Sequence, residues 1–488
     1  MSGNIFSEIK SNIRVELVGE NFSSACEKFI KAYKIKKLLH DSGAKNCLGY
    51  LFINIFITFF VLPFVAKNFW QEMVSNTMKL ISKDAGYRFL KSPNINWRNV
   101  EMNVAKQAID YLLELGDIKY LTAFILDDTL FKKMRSKNTE LLAKAYDHVD
   151  QTYFKGFRML NLIYSDQISN VAISSSLLSS SNEKNIYNKK IKDDLDPRCN
   201  GFKRRMEAKQ HAPEVALNML KKALEMGMTA TALVFDTWFA TEPFIIKCSS
   251  LINVVCMLKK NHNSSFNYFG KNMTIEEVYR NLKNKKRKKN VLGSCIVTMH
   301  DSENNNLKCK LVFARNINKK GDWIPLLSTN IKLTDDQIIK LYSIRWNIEV
   351  FHRDIKQFLD LEHGCQSNDF DALIAHNSIV LMQYNFISIQ RRKYIDIRSF
   401  GELFRYFNNA LEQRSFEEAF KLIMQTIIDN INILFADNEE KKMQVINAII
   451  NAYNTSIKNA LNTLRHFTND IEPRKLALAV DTSTASVV

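Results

Sequence analysis

The sequence has little with which to hold a soft metal or a disulfide framework. Its eight cysteines, Cys26, Cys47, Cys199, Cys248, Cys256, Cys295, Cys309 and Cys365, form no CxxC pair, and no histidine cluster stands beside them. That argues against a zinc site. Scattered cysteines in a long basic chain read instead as reduced thiols of a cytosol. Residues 1–16 lack the apolar core of a secretory signal, and no internal repeat runs through the chain. Acidic residues are also short: 51 Asp and Glu stand against 68 Lys and Arg, a formal net charge of +17. Such an excess favours a polyanionic partner such as nucleic acid, with an anionic membrane surface as the competing explanation. At 46% hydrophobic over 488 residues, a wholly disordered chain is excluded and more than one domain is expected.

Only one long apolar run is present, Leu48 to Val65. It is about long enough to span a bilayer, but Asn54, Thr58 and Pro63 interrupt it and no second run follows. A buried helix is the expected reading; a single-span anchored protein is the rival.

Gly and Pro are absent from Leu341 to Leu359, which reads as one helix. At about 100° per residue, Tyr342, Arg345, Glu349 and Lys356 share about 60° of arc. Ile344, Ile348, Phe351, Ile355 and Leu359 make a separate apolar stripe. One face goes to a core; the other presents a phenol, a guanidinium, a carboxylate and an ammonium. A solvated face with one Arg–Glu pair is the bland alternative.

Upstream, strand-like runs occupy 120–126, 157–165 and 171–178, a helical pattern follows Pro213 at 214–226, and a strand covers 232–235. Asp127 and Asp236 stand at the ends of the first and the last of these strands. Short β-like runs at 254–258, 294–299, 307–313 and 323–328 fill the interval before the central helix. A basic tract, Lys285-Lys286-Arg287-Lys288-Lys289, reads either as a solvated loop or as a phosphate contact. Ser82 can cap a short helix bearing Lys83, Arg88 and Lys91, which is either a surface helix or the recognition helix of a helix-turn-helix unit.

The spacing Tyr-x2-Arg-x3-Glu-x6-Lys at Tyr342, Arg345, Glu349 and Lys356 resembles the signature of a large group of bacterial insertion-sequence transposases of the DDE type. The resemblance extends to Leu62-Pro63-Phe64 with Lys67-Asn68, Tyr146-Asp147-His148, Lys155 to Leu160, and Phe370 to His376. It implies an α/β protein: a ribonuclease H-like catalytic core interrupted by a β-rich insertion domain, with helical N- and C-terminal regions. The implied division is an N-terminal DNA-binding region over 1–118, a core over 119–253 and 330–395, an insertion over 254–329, and a C-terminal helical region and tail over 396–488. It maps the three metal-binding carboxylates onto Asp127, Asp236 and Glu349, with Asp128 as the fallback for the first. It implies two Mg²⁺ or Mn²⁺ ions, hard cations that suit oxygen ligands. Tyr342, Arg345 and Lys356 would then hold phosphates. Trp323 would stack on an unpaired base, against the plainer reading of a core tryptophan. Arg88, Lys285, Lys286 and Arg287 would touch double-stranded DNA. A synaptic homodimer and a cytoplasmic, nucleoid-associated location complete the implication; an inactive DNA-binding relative is the alternative.

Overall fold

The structure, a computed structural model, describes residues 22–408 apart from 76–80, 116–120, 148–149, 190–191, 193–194, 261–264, 283–289, 301–305, 317–318, 320 and 394–397. Beyond 408 it describes only 440–445, 447–448 and 451. The expectations for Lys285, Lys286 and Arg287, and for most of 396–488, lie outside the described residues. Met1–Asn408 is one compact unit and Asn409–Val488 a second.

The first unit begins with helices α1 (Phe22–Ala32), α2 (Ile35–Asp41), α3 (Phe52–Val61), α4 (Phe69–Ser75), α5 (Lys83–Leu90) and α6 (Trp97–Leu115). The α3 helix carries the long apolar run. It is followed by a single 3-10 turn, Leu62–Val65, and its ten residues reach only about 15 Å, half a bilayer core. Among the described residues no helix is long and apolar enough to cross a membrane. Phe56, Phe60 and Phe64 are fully buried, and the rings of Phe60 and Phe64 pack 5.8 and 6.0 Å from that of Phe386. Gln383 Nε2 donates to the carbonyls of Phe59 and Phe60 at 3.4 and 2.8 Å, which satisfies acceptors a helix end leaves open. The run is apolar because it is core.

A sheet follows, built from β1 (Ala123–Lys132), β2 (Ala143–Asp147), β3 (Thr152–Ser165) and β4 (Asn170–Leu178), then helices α7 (Asn200–Glu207) and α8 (Ala212–Glu225), then β5 (Ala232–Phe235), α9 (Glu242–Ser249) and β6 (Val254–Met257). The β3 strand carries β1 antiparallel along one edge, and β2 then β4 along the other. Beyond β1 come β5 and β6, both parallel to it. Three antiparallel strands followed by two parallel additions is the ribonuclease H-like order. Residues Ala123 to Leu126 are all buried, as a strand covered on both faces requires. At Gly156 an added Cβ would meet the Phe131 carbonyl oxygen at 2.2 Å, so the β1–β3 crossing admits no side chain there.

The sheet does not stop at β6. Strands β7 (Ser265–Tyr268), β8 (Lys271–Thr274), β9 (Val291–His300), β10 (Asn306–Arg315) and β11 (Trp323–Ser328), with helix α10 (Ile275–Arg280) between β8 and β9, extend it in the order β6-β11-β10-β9-β7-β8. The 254–329 stretch thus hydrogen-bonds directly onto the core sheet through β6 and β11. Helices α11 (Asp335–Ser343), α12 (Trp346–Gln357) and α13 (Phe370–Lys393) complete the described order. The α13 helix is buried almost throughout 370–390 and packs on β4 and α6, as an apolar helix covering a sheet should.

Two expectations need correction. The central helix is not continuous over 341–359. It breaks between α11 and α12, where Ile344 and Arg345 donate to the carbonyls three residues back, Leu341 and Tyr342, at 3.2 and 3.0 Å. This is a tightened 3-10 step. It needs no Gly or Pro, so the sequence carries no mark of it. The apolar stripe survives: Ile344, Ile348, Phe351, Ile355 and Leu359 are all buried. Asp127 also does not end its strand; β1 continues five residues further along β3 to Lys132. What ends there is the parallel ladder with β5, whose last pair is Leu126 and Phe235.

Candidate active site

Because that ladder ends at Leu126 and Phe235, Asp127 and Asp236 are the next residue on each of two neighbouring parallel strands. Adjacent strands lie about 4.8 Å apart, so Asp127, which continues β1, and Asp236, the first residue after β5, come side by side. Asp236 Oδ1 accepts the Trp238 backbone N–H at 2.9 Å, which fixes the turn leaving β5. The third carboxylate arrives on α12, which packs on β1. Its buried His352 lies 3.1 Å from Asn161 Nδ2, and Asn161 is paired with Asp127 across β1 and β3. This docking brings Glu349 towards the end of the β1–β5 ladder.

Arg345 joins the group. Its Nη1 lies 3.1 Å from Glu349 Oε1 and 3.5 Å from Asp127 Oδ2. Asp127 is mostly buried, and its carboxyl is raised well above the ordinary range, first by burial and then by the charges of Asp236, Asp128 and Glu349. The repulsion from Asp236 and Glu349 reflects how near those two carboxylates stand to Asp127. The Tyr342 phenol is pushed up to about 12, mainly by burial and further by Asp236, while Arg345 opposes the shift. It stays protonated near neutral pH and remains a donor. His352 is driven down to about 3 by burial, Lys356 and Arg345. It is therefore neutral, and its role is to seat α12 on the sheet.

Lys356 lies at the edge of this group and is not free. Its Nζ donates to the Leu130 carbonyl at 2.7 Å and pairs with Glu362 at 3.1 Å, tying α12 to β1 three residues beyond Asp127. Lys356→Ala should cost about 1 kcal/mol of stability, a small drop in melting temperature, while weakening binding of cleaved DNA ends by a larger factor. A large thermal loss with unchanged end binding would make the residue a brace only.

Asp128 points away from the cluster. Its Oδ2 accepts from Arg158 Nη1 at 2.6 Å, Arg158 also donates to the Tyr146 carbonyl at 3.0 Å, and its guanidinium stands 5.7 Å from the Trp238 ring centroid. Sequence reading missed this group. Strand alternation places Asp128 and Arg158 on one face only once β1 and β3 are known to pair, with Asp128 opposite Leu160. Trp323 is not with the carboxylates: its ring packs 4.6 Å from Tyr279 and 5.2 Å from Phe313, with Lys260 Nζ 4.2 Å from its centroid. Arg88 is exposed on α5, whose Ser82 cap accepts the Ala85 N–H at 3.3 Å.

Residues 60–293 match the family model of the DDE superfamily endonuclease, and residues 202–386 match the Transposase DDE domain. The first span contains Asp127 and Asp236; the second contains Asp236 and Glu349. The two matches support a DDE transposase. No curated protein matches the chain.

Transposases of this type imply divalent metal, and the donors here suit one in kind. All three are carboxylates, the ligands a hard cation prefers, and their mutual repulsion is what such a cation relieves. As the side chains stand, no three His, Cys, Asp or Glu among the described residues are arranged to hold an ion; the positive charge between Asp127 and Glu349 is that of Arg345.

Proposed function

We propose that the protein binds the ends of its own insertion element and catalyses DNA strand cleavage and strand transfer, cut-and-paste transposition. What supports this reading is that Asp127 and Asp236 follow the last pair of the β1–β5 parallel ladder and that Arg345 links Asp127 to Glu349. Asp127, Asp236 and Glu349 would hold two Mg²⁺ or Mn²⁺ ions, which when bound would supply an activated nucleophile and neutralise the leaving oxygen. The chain's own groups orient the DNA. Arg345 offers a planar fork to a phosphate and Lys356 a point charge. Tyr342 keeps its proton and donates to a phosphate oxygen. Element ends are handled in pairs, so the working form is a homodimer bridging two ends, in the cytoplasm on the nucleoid. Cleavage of a labelled end fragment in Mg²⁺ or Mn²⁺ tests the reading.

Net charge predicts how DNA is held. With +17 overall, phosphate contacts should dominate, and the logarithm of affinity should fall by about 0.9 per log unit of salt for each phosphate neutralised. Replacing Lys285, Lys286, Arg287, Lys288 and Lys289 by Gln should flatten that slope in a filter-binding titration. Binding that ignores salt between about 50 and 200 mM would contradict the phosphate-dominated mode.

A further inference from the structure

Arg345 sits where a cation is wanted. It reaches both Asp127 and Glu349 through Nη1, so that nitrogen is withheld from a DNA phosphate while the contacts last. Around it are groups that hold it in place: Glu349 follows it by one helical turn, and the tightened step at Ile344 and Arg345 sets the start of α12. Its side chain is mostly buried while that of Glu349 is partly exposed, so shielding from solvent falls mainly on the contact with Asp127. Asp127, the partner it shares with the metal reading, is mostly buried too. Leaving that carboxylate beside Asp236 and Glu349 with no positive neighbour would be costly.

We propose that Arg345 is the built-in counter-ion of the metal-free site, competing with divalent metal for Asp127 and Glu349 and released towards a DNA phosphate when metal enters. This rests on the metal-site reading above and adds an order to it. Before metal arrives, Arg345 keeps the like-charged carboxylates together. Metal takes over their neutralisation, and the freed guanidinium gains affinity for phosphate. By linkage, DNA that captures Arg345 must strengthen metal binding by the same factor. The device makes the site weak for metal alone and stronger when metal and DNA are both present.

The test is calorimetric titration of Mn²⁺ into the full chain, with and without a short end duplex, alongside melting curves in EDTA. Without DNA, Arg345→Gln should bind Mn²⁺ roughly tenfold more tightly than wild type, because a positive charge a few ångströms from the ion is gone. It should melt lower than wild type in EDTA and recover on adding Mn²⁺. Arg345→Lys, which keeps the charge but loses the fork, should fall between the two. Added DNA should tighten Mn²⁺ binding in wild type more than in Arg345→Gln. Equal or weaker Mn²⁺ binding by both Arg345 variants would overturn the proposal. Asp127→Asn and Glu349→Gln separate the two ideas. If they lose Mn²⁺ affinity while the Arg345 variants gain none, the metal site stands and the counter-ion role falls. If they lose no affinity, both fall.

Discussion

Asp127→Asn, Asp236→Asn and Glu349→Gln should each abolish strand cleavage, by about a thousandfold or more, and to a similar extent. Each amide keeps the shape of its side chain and removes the anionic oxygen that a hard cation requires. Members of a catalytic unit are strongly non-additive, so losing one should cost nearly as much as losing all. The geometry behind this is specific. Asp127 and Asp236 are the next residues after the last pair of a parallel ladder, and Glu349 is linked to Asp127 through Arg345. Binding of uncut end DNA in a gel shift without metal should persist in all three variants, because each change removes a negative charge and no basic residue. Asp128→Asn should be much milder, since Asp128 is engaged with Arg158 at 2.6 Å on the other face of the strand. Full cleavage by Glu349→Gln would sink the mechanism. Full cleavage by Asp127→Asn together with loss in Asp128→Asn would move the first ligand by one residue.

Much of the fold was legible in the sequence because its strands are regular where it matters. The runs at 157–165 and 171–178 fall within β3 and β4, and 232–235 is β5. The later runs at 254–258, 294–299, 307–313 and 323–328 fall on β6, β9, β10 and β11. The short β2, the β7–β8 hairpin and α10 were not seen, because they are brief and mix polar residues throughout, without the unbroken apolar run that marks the equally short β5 and β6. Pairing was also invisible. Nothing in residues 254–329 announces that β11 joins β6 and so continues the core sheet. At the site, the sequence placed Tyr342, Arg345 and Glu349 on one helical face. It gave no sign that the backbone tightens between them, since a 3-10 step tolerates the same residues as an α-turn. Lys356 read only as a phosphate-holding residue of the polar face because a helical wheel shows only its direction; its partners are the Leu130 carbonyl on β1 and Glu362. Buried ion pairs were missed for a related reason. A charged residue in a sequence looks solvated until its partner, often a hundred residues away, is known.

One buried network yields the second strong prediction: Arg205→Ala should destabilise the protein by about 3–5 kcal/mol, the cost of leaving buried charge uncompensated. Arg205 is fully buried. Its Nε and Nη2 donate to the two oxygens of Glu140 at 2.6 and 2.7 Å, and its Nη1 donates to Asp371 Oδ1 at 2.9 Å and to the Gly201 carbonyl at 2.8 Å. Glu140 also accepts the backbone N–H groups of Lys192 and Phe370, at 2.9 and 3.1 Å. One guanidinium therefore ties the loop after β1, helix α7 and the first turn of α13, the helix that covers the sheet. Arg205→Lys should rescue little, because an ammonium cannot bond both oxygens of Glu140 in a fork while also reaching Asp371. The pH dependence gives a sharper check. Burial alone would raise the Glu140 carboxyl, but hydrogen bonds and charge from Arg205 overcome it and hold the group below its ordinary value. A depressed carboxylate contributes stability that is fully present above its unfolded value and is lost as pH falls through the lower folded one. Wild-type melting temperature should therefore fall across that acid window. Arg205→Ala should start lower near neutral pH and fall less steeply there, because the favourable partner of Glu140 is gone. Melting curves from about pH 7 down to 3 read both effects. A mutant that melts with the wild type at neutral pH, or tracks its acid slope, would show that the network does not hold α13 to the sheet.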